Sequence, residues 1–402
     1  MPADLCRLDG THAIRLTRTA TVHRAEPVTL VGEDWQRSAA GDGAGLAVLH
    51  RLRSRMAVED GFRVTALGRP ALEDESERAM GVDQTNESWV VGGRVVVKWV
   101  TDDLDGPHPG PDRLRRLAAA GFAQTPALHG LVEWQQPDGE WAPVAVVQEY
   151  VADTEDGWTW AVEDARRALG IDRGSASRPF AADLGVLSGR MHRALADDPA
   201  EPLTVDLAAA QAADARAAVE EAVRLTSASD PASHALLVRD HDRIVADLAP
   251  LDHLAGSPGV HVHGDFHVGQ VLRTPDGDLS VVDLDGNPTR PPALRAAPGP
   301  AARDVAGMLV SLENVGHVVR HYAPDVEEAA VHAWTEAVQA QFLAAYVESL
   351  GDRRDLYDER LVPAFVWEQV CREFVYAARH LPRWGYVPAA ALRRRTASEE
   401  GP

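Results

Sequence analysis

His263-Gly264-Asp265-Phe266-His267-Val268-Gly269-Gln270, followed by Leu279-Ser280-Val281-Val282-Asp283, is the stretch on which the reading of this chain turns. Asp265 and Gln270 are separated by four residues, and Asp283 closes an apolar run thirteen positions after the glutamine. Such a run predicts a short strand, which puts Asp283 at a strand end beside a loop carrying the other two. A loop carboxylate can orient a hydroxyl and accept its proton. An amide oxygen and a second carboxylate nearby are the hard donors that a divalent cation takes alongside phosphates. His-Gly-Asp alone would be compatible with an ordinary Asx-type turn. Its register with Gln270 and Asp283 gives it chemical meaning.

That spacing resembles the catalytic loop of kinase-like phosphotransferases, in which an Asp base, four residues and an Asn precede a strand-end Asp that binds magnesium. Here Gln270 stands in place of the Asn. The resemblance implies ATP as donor, Mg2+ as cofactor, Asp265 as catalytic base, and Gln270 and Asp283 as metal ligands. Composition supplies an independent sign. Among 40 Lys plus Arg residues, Lys98 is the only lysine, and it lies in the β-branched run Arg94-Val-Val-Val-Lys98-Trp-Val after Gly92-Gly93. A kinase needs one lysine on such a strand to meet the nucleotide phosphates as a compact charge.

At 402 residues the chain predicts two or three subdomains. A hydrophobic content of 45% with 25% charged residues fits a globular protein. The formal net charge of −21 argues against nucleic-acid binding. No apolar run is long enough for a membrane span, and Met1 to Arg7 lacks the features of a secretory leader. Cys6 and Cys371 have no metal-ligand spacing and fit reduced thiols in a cytoplasmic protein. A monomer is the expected state.

Along the chain, residues 11–33 predict strands and 34–56 a helix, forming a cap subdomain over residues 1–82. A nucleotide lobe is expected over 83–151. It opens on the turn-forming Asp83-Gln-Thr-Asn-Glu-Ser88, whose Thr85, Asn86 and Ser88 are candidate phosphate donors. In helix 111–120, Asp112 is the only carboxylate available to pair with the lysine, the other reading being that it serves only the helix dipole. Ala145 to Val151 predicts a buried strand running into a hinge, with Gln148, Glu149 and Val151 as candidates to meet adenine. Residues 152–402 are expected to form a mainly helical lobe. His192 is expected to belong to ordinary packing, and Asp304 to lie at or near the N-cap of a helix over 304–319.

On these residues, with Arg303-Asp-Val-Ala-Gly-Met-Leu309 and the Asp156-Gly-Trp158 element, the chain resembles the aminoglycoside-phosphotransferase-like sugar kinases, in the maltokinase and glucosamine-kinase branch. This implies an α+β, protein-kinase-like two-lobed fold with an extra N-terminal cap. Maltokinases of this type read Asp-Phe-Glu-Gly-Glu-Pro where this chain has Asp283-Leu-Asp-Gly-Asn-Pro288, and Asn-Arg-Pro where it has Arg379-His-Leu-Pro-Arg-Trp384. Both departures favour glucosamine, phosphorylated at its 6-hydroxyl, over maltose. A maltokinase, an aminoglycoside phosphotransferase and a nucleotide-binding pseudokinase are the alternatives. For the sugar itself, Glu373, Tyr376 and His380 share a helical face suited to an amino sugar, and Trp384 could stack on its ring. Glu368 and Arg372, four apart, read as a surface pair.

Overall fold

The computed structural model describes residues 4–19, 22–54, 61–81, 87–101, 104–172 and 179–397. They divide into two compact units, one of residues up to 118 plus 125–154, the other of 119–124 plus 155 onward.

The first unit holds two antiparallel sheets. β1 (Asp4–Arg7), β2 (His12–Arg18), β3 (His23–Val31) and β4 (Asp34–Arg37) form a meander in chain order. The predicted helix over 34–56 therefore needs correcting. Its first four residues extend β3 through the pairs Val28 with Arg37 and Val31 with Asp34, and only α1 (Ala44–Arg53) is helical. Gly41 and Gly43, both at positive φ, separate the two.

The second sheet takes the order β5-β9-β10-β8-β7-β6, from β5 (Phe62–Ala66), β6 (Glu77–Ala79), β7 (Glu87–Val91), β8 (Val95–Trp99), β9 (Leu128–Gln135) and β10 (Trp141–Glu149). The division expected at residue 82 falls within this sheet, because β5 and β6 pair into it. Both sheets and α1 share one apolar core built on Ile14, Val48, Trp89, Val97 and Val147. α2 (Pro109–Ala119) follows β8.

The second unit is mainly helical: α3 (Gly157–Ala168), α4 (Ala181–Leu195), α5 (Val205–Ser229), α6 (Pro231–Arg239) and α7 (His241–Asp247) come before the hairpin β11 (Val271–Arg273) and β12 (Leu279–Val281). After it come α8 (Pro292–Ala296), α9 (Ala302–Tyr322), α10 (Glu328–Ser349), α11 (Val362–Arg379) and α12 (Tyr386–Ala397). α5 turns Ala208, Ala212, Ala215, Val219 and Ala222 into a core shared with α9 and α11. That spacing of three and four is what a helix needs to bury one stripe. α9 is buried almost from end to end between Ala302 and Val319. It is the scaffold on which the site is built.

Candidate functional site

The predicted strand before Asp283 forms as β12, paired with β11 in a hairpin. Val271 pairs with Val281, and the Val282 amide donates to the Gln270 carbonyl at 2.9 Å, so Gln270 and Asp283 lie at neighbouring strand ends. Asp283 is exposed and has φ +59, one of two non-glycine residues at positive φ among those described. Asp tolerates the left-handed region at a cost of about 1 kcal/mol, and such strain gathers at functional positions. The Gln270 amide nitrogen faces His267 Nε2 at 3.5 Å, which turns its oxygen away from the imidazole. Gln270 and Asp283 thus offer two oxygen donors, the chemistry magnesium takes while leaving further positions to phosphates and water. The residues fit that ion.

The loop from His263 to Gln270 is pinned to α9. Asp304 Oδ2 and Oδ1 accept the backbone N–H groups of His263 (2.6 Å) and Gly264 (2.8 Å). Gly307, one turn on, sits against the Phe266 carbonyl, and Ser311 Oγ accepts the Val268 amide at 3.0 Å. Asp304 lies near the N-cap, as expected, but does not itself cap the helix. It is the third residue of a helix that starts at Ala302, and its side chain reaches sideways into the loop. Burial opposes its charge, but hydrogen bonds from His192 and Gly264 outweigh this and hold the carboxyl below its ordinary range. Since a carboxylate only accepts, His192 Nε2 must donate to it at 3.1 Å. His192 Nδ1 then accepts from the Tyr346 hydroxyl at 2.8 Å. His192, expected as ordinary packing, is fully buried in this relay.

Asp265 is half-buried, and burial raises its pKa against the opposing pull of His267 and His263. Its Oδ1 accepts from Asn287 Nδ2 at 2.8 Å, while the Asn287 amide donates to the Gly264 carbonyl at 3.2 Å. Sequence reasoning did not single out Asn287 as a site residue. The signal was present in Asp283-Leu-Asp-Gly-Asn-Pro288, read there only as a departure from a pattern.

On α11, Glu373 turns toward α9. Asn314 Nδ2 donates to both of its carboxylate oxygens, at 2.9 and 3.0 Å, and Gln369 Nε2 lies at 3.4 Å. Burial pushes its pKa up to about 7. Asn314 is 1% exposed, and its Oδ1 is buried with no hydrogen-bond partner. Tyr376 and His380 pack ring on ring at 5.2 Å on the exposed surface. Trp384 meets Trp158 edge-on at 5.1 Å, and Trp158 lies 6.2 Å from the His267 ring.

The Glu368–Arg372 pair is buried, which corrects the surface reading. Glu368 accepts from Arg372 at 2.8 Å and from Arg303 at 2.5 Å, and Arg372 and Arg290 both reach Asp214. Despite burial, the nearby guanidinium groups of Arg303 and Arg372 pull Glu368 down to about 2.

In the first unit, Lys98 lies opposite Ser88 on β7 and Val146 on β10, so register sets Lys98 and Ser88 side by side on one face. Thr85 and Asn86 lie outside the described residues. Asp112 is exposed and pairs with Arg116 at 2.8 Å. Gln148 pairs with Val96 and Leu128, the Glu149 amide donates to the Ala127 carbonyl at 2.8 Å, and the Val151 carbonyl accepts from Thr154 Oγ1 at 3.2 Å.

No family model matches the chain. A glucosamine kinase of Streptacidiphilus jiangxiensis is 41% identical over 396 residues, 95% of this chain and 88% of that one. A glucosamine kinase of Mycolicibacterium smegmatis is 40% identical over 401 residues, 97% of each. Of solved structures, a glucosamine kinase in complex with glucosamine, ADP and inorganic phosphate superposes with a TM-score of 0.81 at 38% identity, covering 98% of this chain and 92% of its own. Another crystal form of glucosamine kinase gives 0.84 at 38% identity, with 98% and 93% covered. The fold is the α+β, protein-kinase-like fold of the sugar kinases. Within that class, the chain belongs to the glucosamine kinase family.

Proposed function

We propose that this protein transfers the γ-phosphoryl group of ATP to the 6-hydroxyl of glucosamine. Asp265 accepts the hydroxyl proton as the new O–P bond forms and the bond to ADP breaks. Asn287 occupies one of its oxygens and leaves the other for the acceptor. Gln270 and Asp283 would hold magnesium, whose chemistry here is to neutralise phosphate charge. Lys98 and Ser88, with Thr85 and Asn86, bind the nucleotide phosphates, and Gln148, Glu149 and Val151 meet the adenine. On this reading residues 1–82 support a nucleotide-binding segment over 83–151, and 152–402 carry catalysis and the sugar. No described helix is long and apolar enough to cross a membrane. A cytoplasmic location fits two buried cysteines that form no disulfide, and a monomer is the state this reading takes.

The observation that carries the choice of an amino sugar is Glu373 with Asn314. A half-buried carboxylate, held by amides and not by a cation, stands beside a buried carbonyl oxygen that lacks a donor. An ammonium group supplies both missing elements, positive charge and N–H donors. Tyr376, His380 and Trp384 would flank the ring. ATP turnover against glucosamine, N-acetylglucosamine, glucose, maltose and an aminoglycoside tests this. Glucosamine should be the preferred acceptor and Asp265→Asn should abolish transfer. Preference for maltose overturns the acceptor, and turnover retained in Asp265→Asn overturns the mechanism.

A further inference from the structure

The bond from Asn287 to Asp265 has no freedom to reverse. Asn287 Oδ1 accepts two hydrogen bonds from Thr289, one from its amide at 2.9 Å and one from its hydroxyl at 2.6 Å. The amide oxygen is thereby fixed on Thr289, and the NH2 end must face Asp265. A hydroxyl has one proton. With that proton committed to Asn287, Thr289 Oγ1 can only accept on its other side, and Arg372 Nη1 donates there at 3.2 Å. Arg372 is itself locked between Glu368 at 2.8 Å and Asp214 at 2.6 Å, all three largely buried. Donors therefore point one way from Arg372 to Thr289 to Asn287, and the last link delivers an N–H to the carboxylate.

We propose that Thr289 and Arg372 are positioning residues for phosphoryl transfer. They fix the rotamer of Asn287, which decides which oxygen of Asp265 is left for the acceptor hydroxyl. Arg372 precedes Glu373 on α11, so the aim of the base is referenced to the helix that carries the amine-binding carboxylate. The proposal rests on the reading of Asp265 as the base. Without the Thr289 hydroxyl, only the Thr289 backbone N–H still holds the Asn287 oxygen, and the amide that aims Asp265 is held less firmly.

The test uses Thr289→Val, which keeps shape and removes the hydroxyl, and Thr289→Ser, which restores it. Thr289→Val should lower kcat by about tenfold with KM for ATP unchanged, the scale expected for a misaimed reacting group. Thr289→Ser should recover kcat to within about twofold of the parent on the same argument. If Thr289 acts through Asn287, Thr289→Val should cost nothing further in an Asn287→Ala background. Parental kcat in Thr289→Val, or losses that multiply in the double variant, overturns the proposal. Asp265→Asn keeps both residues and tests the underlying reading separately. Turnover retained there overturns that reading, whereas turnover lost there together with parental Thr289→Val overturns the positioning role alone.

Discussion

Gly157 opens α3 so close to Val268 that a methyl group at its Cα would stand 1.6 Å from the Val268 carbonyl oxygen. No rotamer relieves such an approach, because the obstacle is the backbone of the catalytic loop itself. Gly157→Ala should therefore displace the Val268–Gln270 turn. A shift of 1 Å near reacting groups costs about a hundredfold in rate. Steady-state kinetics should show that loss in kcat, with the fold retained by circular dichroism.

Asp304→Asn removes the one buried charge that receives three donors from the loop and His192. An amide must turn its NH2 toward one of those donors, leaving it unsatisfied at a cost of about 1–3 kcal/mol. Urea unfolding should report a loss of that size. A kcat deficit should persist under conditions where the variant is fully folded.

Glu373, with a pKa near 7, gives the acceptor a pH signature. Its charged form, needed to bind an ammonium, grows in as pH rises through about 7, so KM for glucosamine should fall between pH 6 and pH 8. KM for glucose, which has no amine, should lack that limb, and any limb common to both acceptors belongs elsewhere. Glu373→Gln should flatten the glucosamine profile and erase its preference over glucose. Discrimination unchanged in that variant would remove Glu373 from the amine site.

Glu368 behaves in the opposite sense. Its pKa falls from an ordinary carboxylate value to about 2 in the folded protein, so its contribution is present above about pH 4.5 and is lost as pH falls toward 2. A shift of that size corresponds to on the order of 3 kcal/mol. Glu368→Gln leaves buried Arg303 without a carboxylate and Arg372 with Asp214 alone, and thermal melts at pH 7 should show a destabilisation of about 3–5 kcal/mol. The same variant should melt with a weaker acid dependence than the parent.

What could be foreseen was local. Asp265, Gln270 and Asp283 come together because a short loop and a tight hairpin lie within twenty residues, and the β-branched run around Lys98 predicts its strand without help from elsewhere. The missing parts act at long range. Asn287 reaches Asp265 across 22 residues, and His192 meets Asp304 across 112. No periodicity encodes such pairings. Glu368 and Arg372 show a second limit, since a spacing of four is the same whether a helix face meets water or two arginines from elsewhere. The strand Asp34–Arg37 was missed because four residues are too few to separate a period of two from one of 3.6.

The stripe Asp304, Gly307, Ser311 and Asn314 runs along one face of α9, with the reaction loop on its first three members and the Glu373 bracket on the last. Ser311 and Asn314 are about one helical turn apart, roughly 4.5 Å of rise. Under the proposed assignments, such an arrangement would make acceptor choice modular. Exchanges at 314 and 373 would then retune which sugar is held while the upstream positions keep the phosphoryl chemistry fixed, so new acceptors would arise without rebuilding the catalyst.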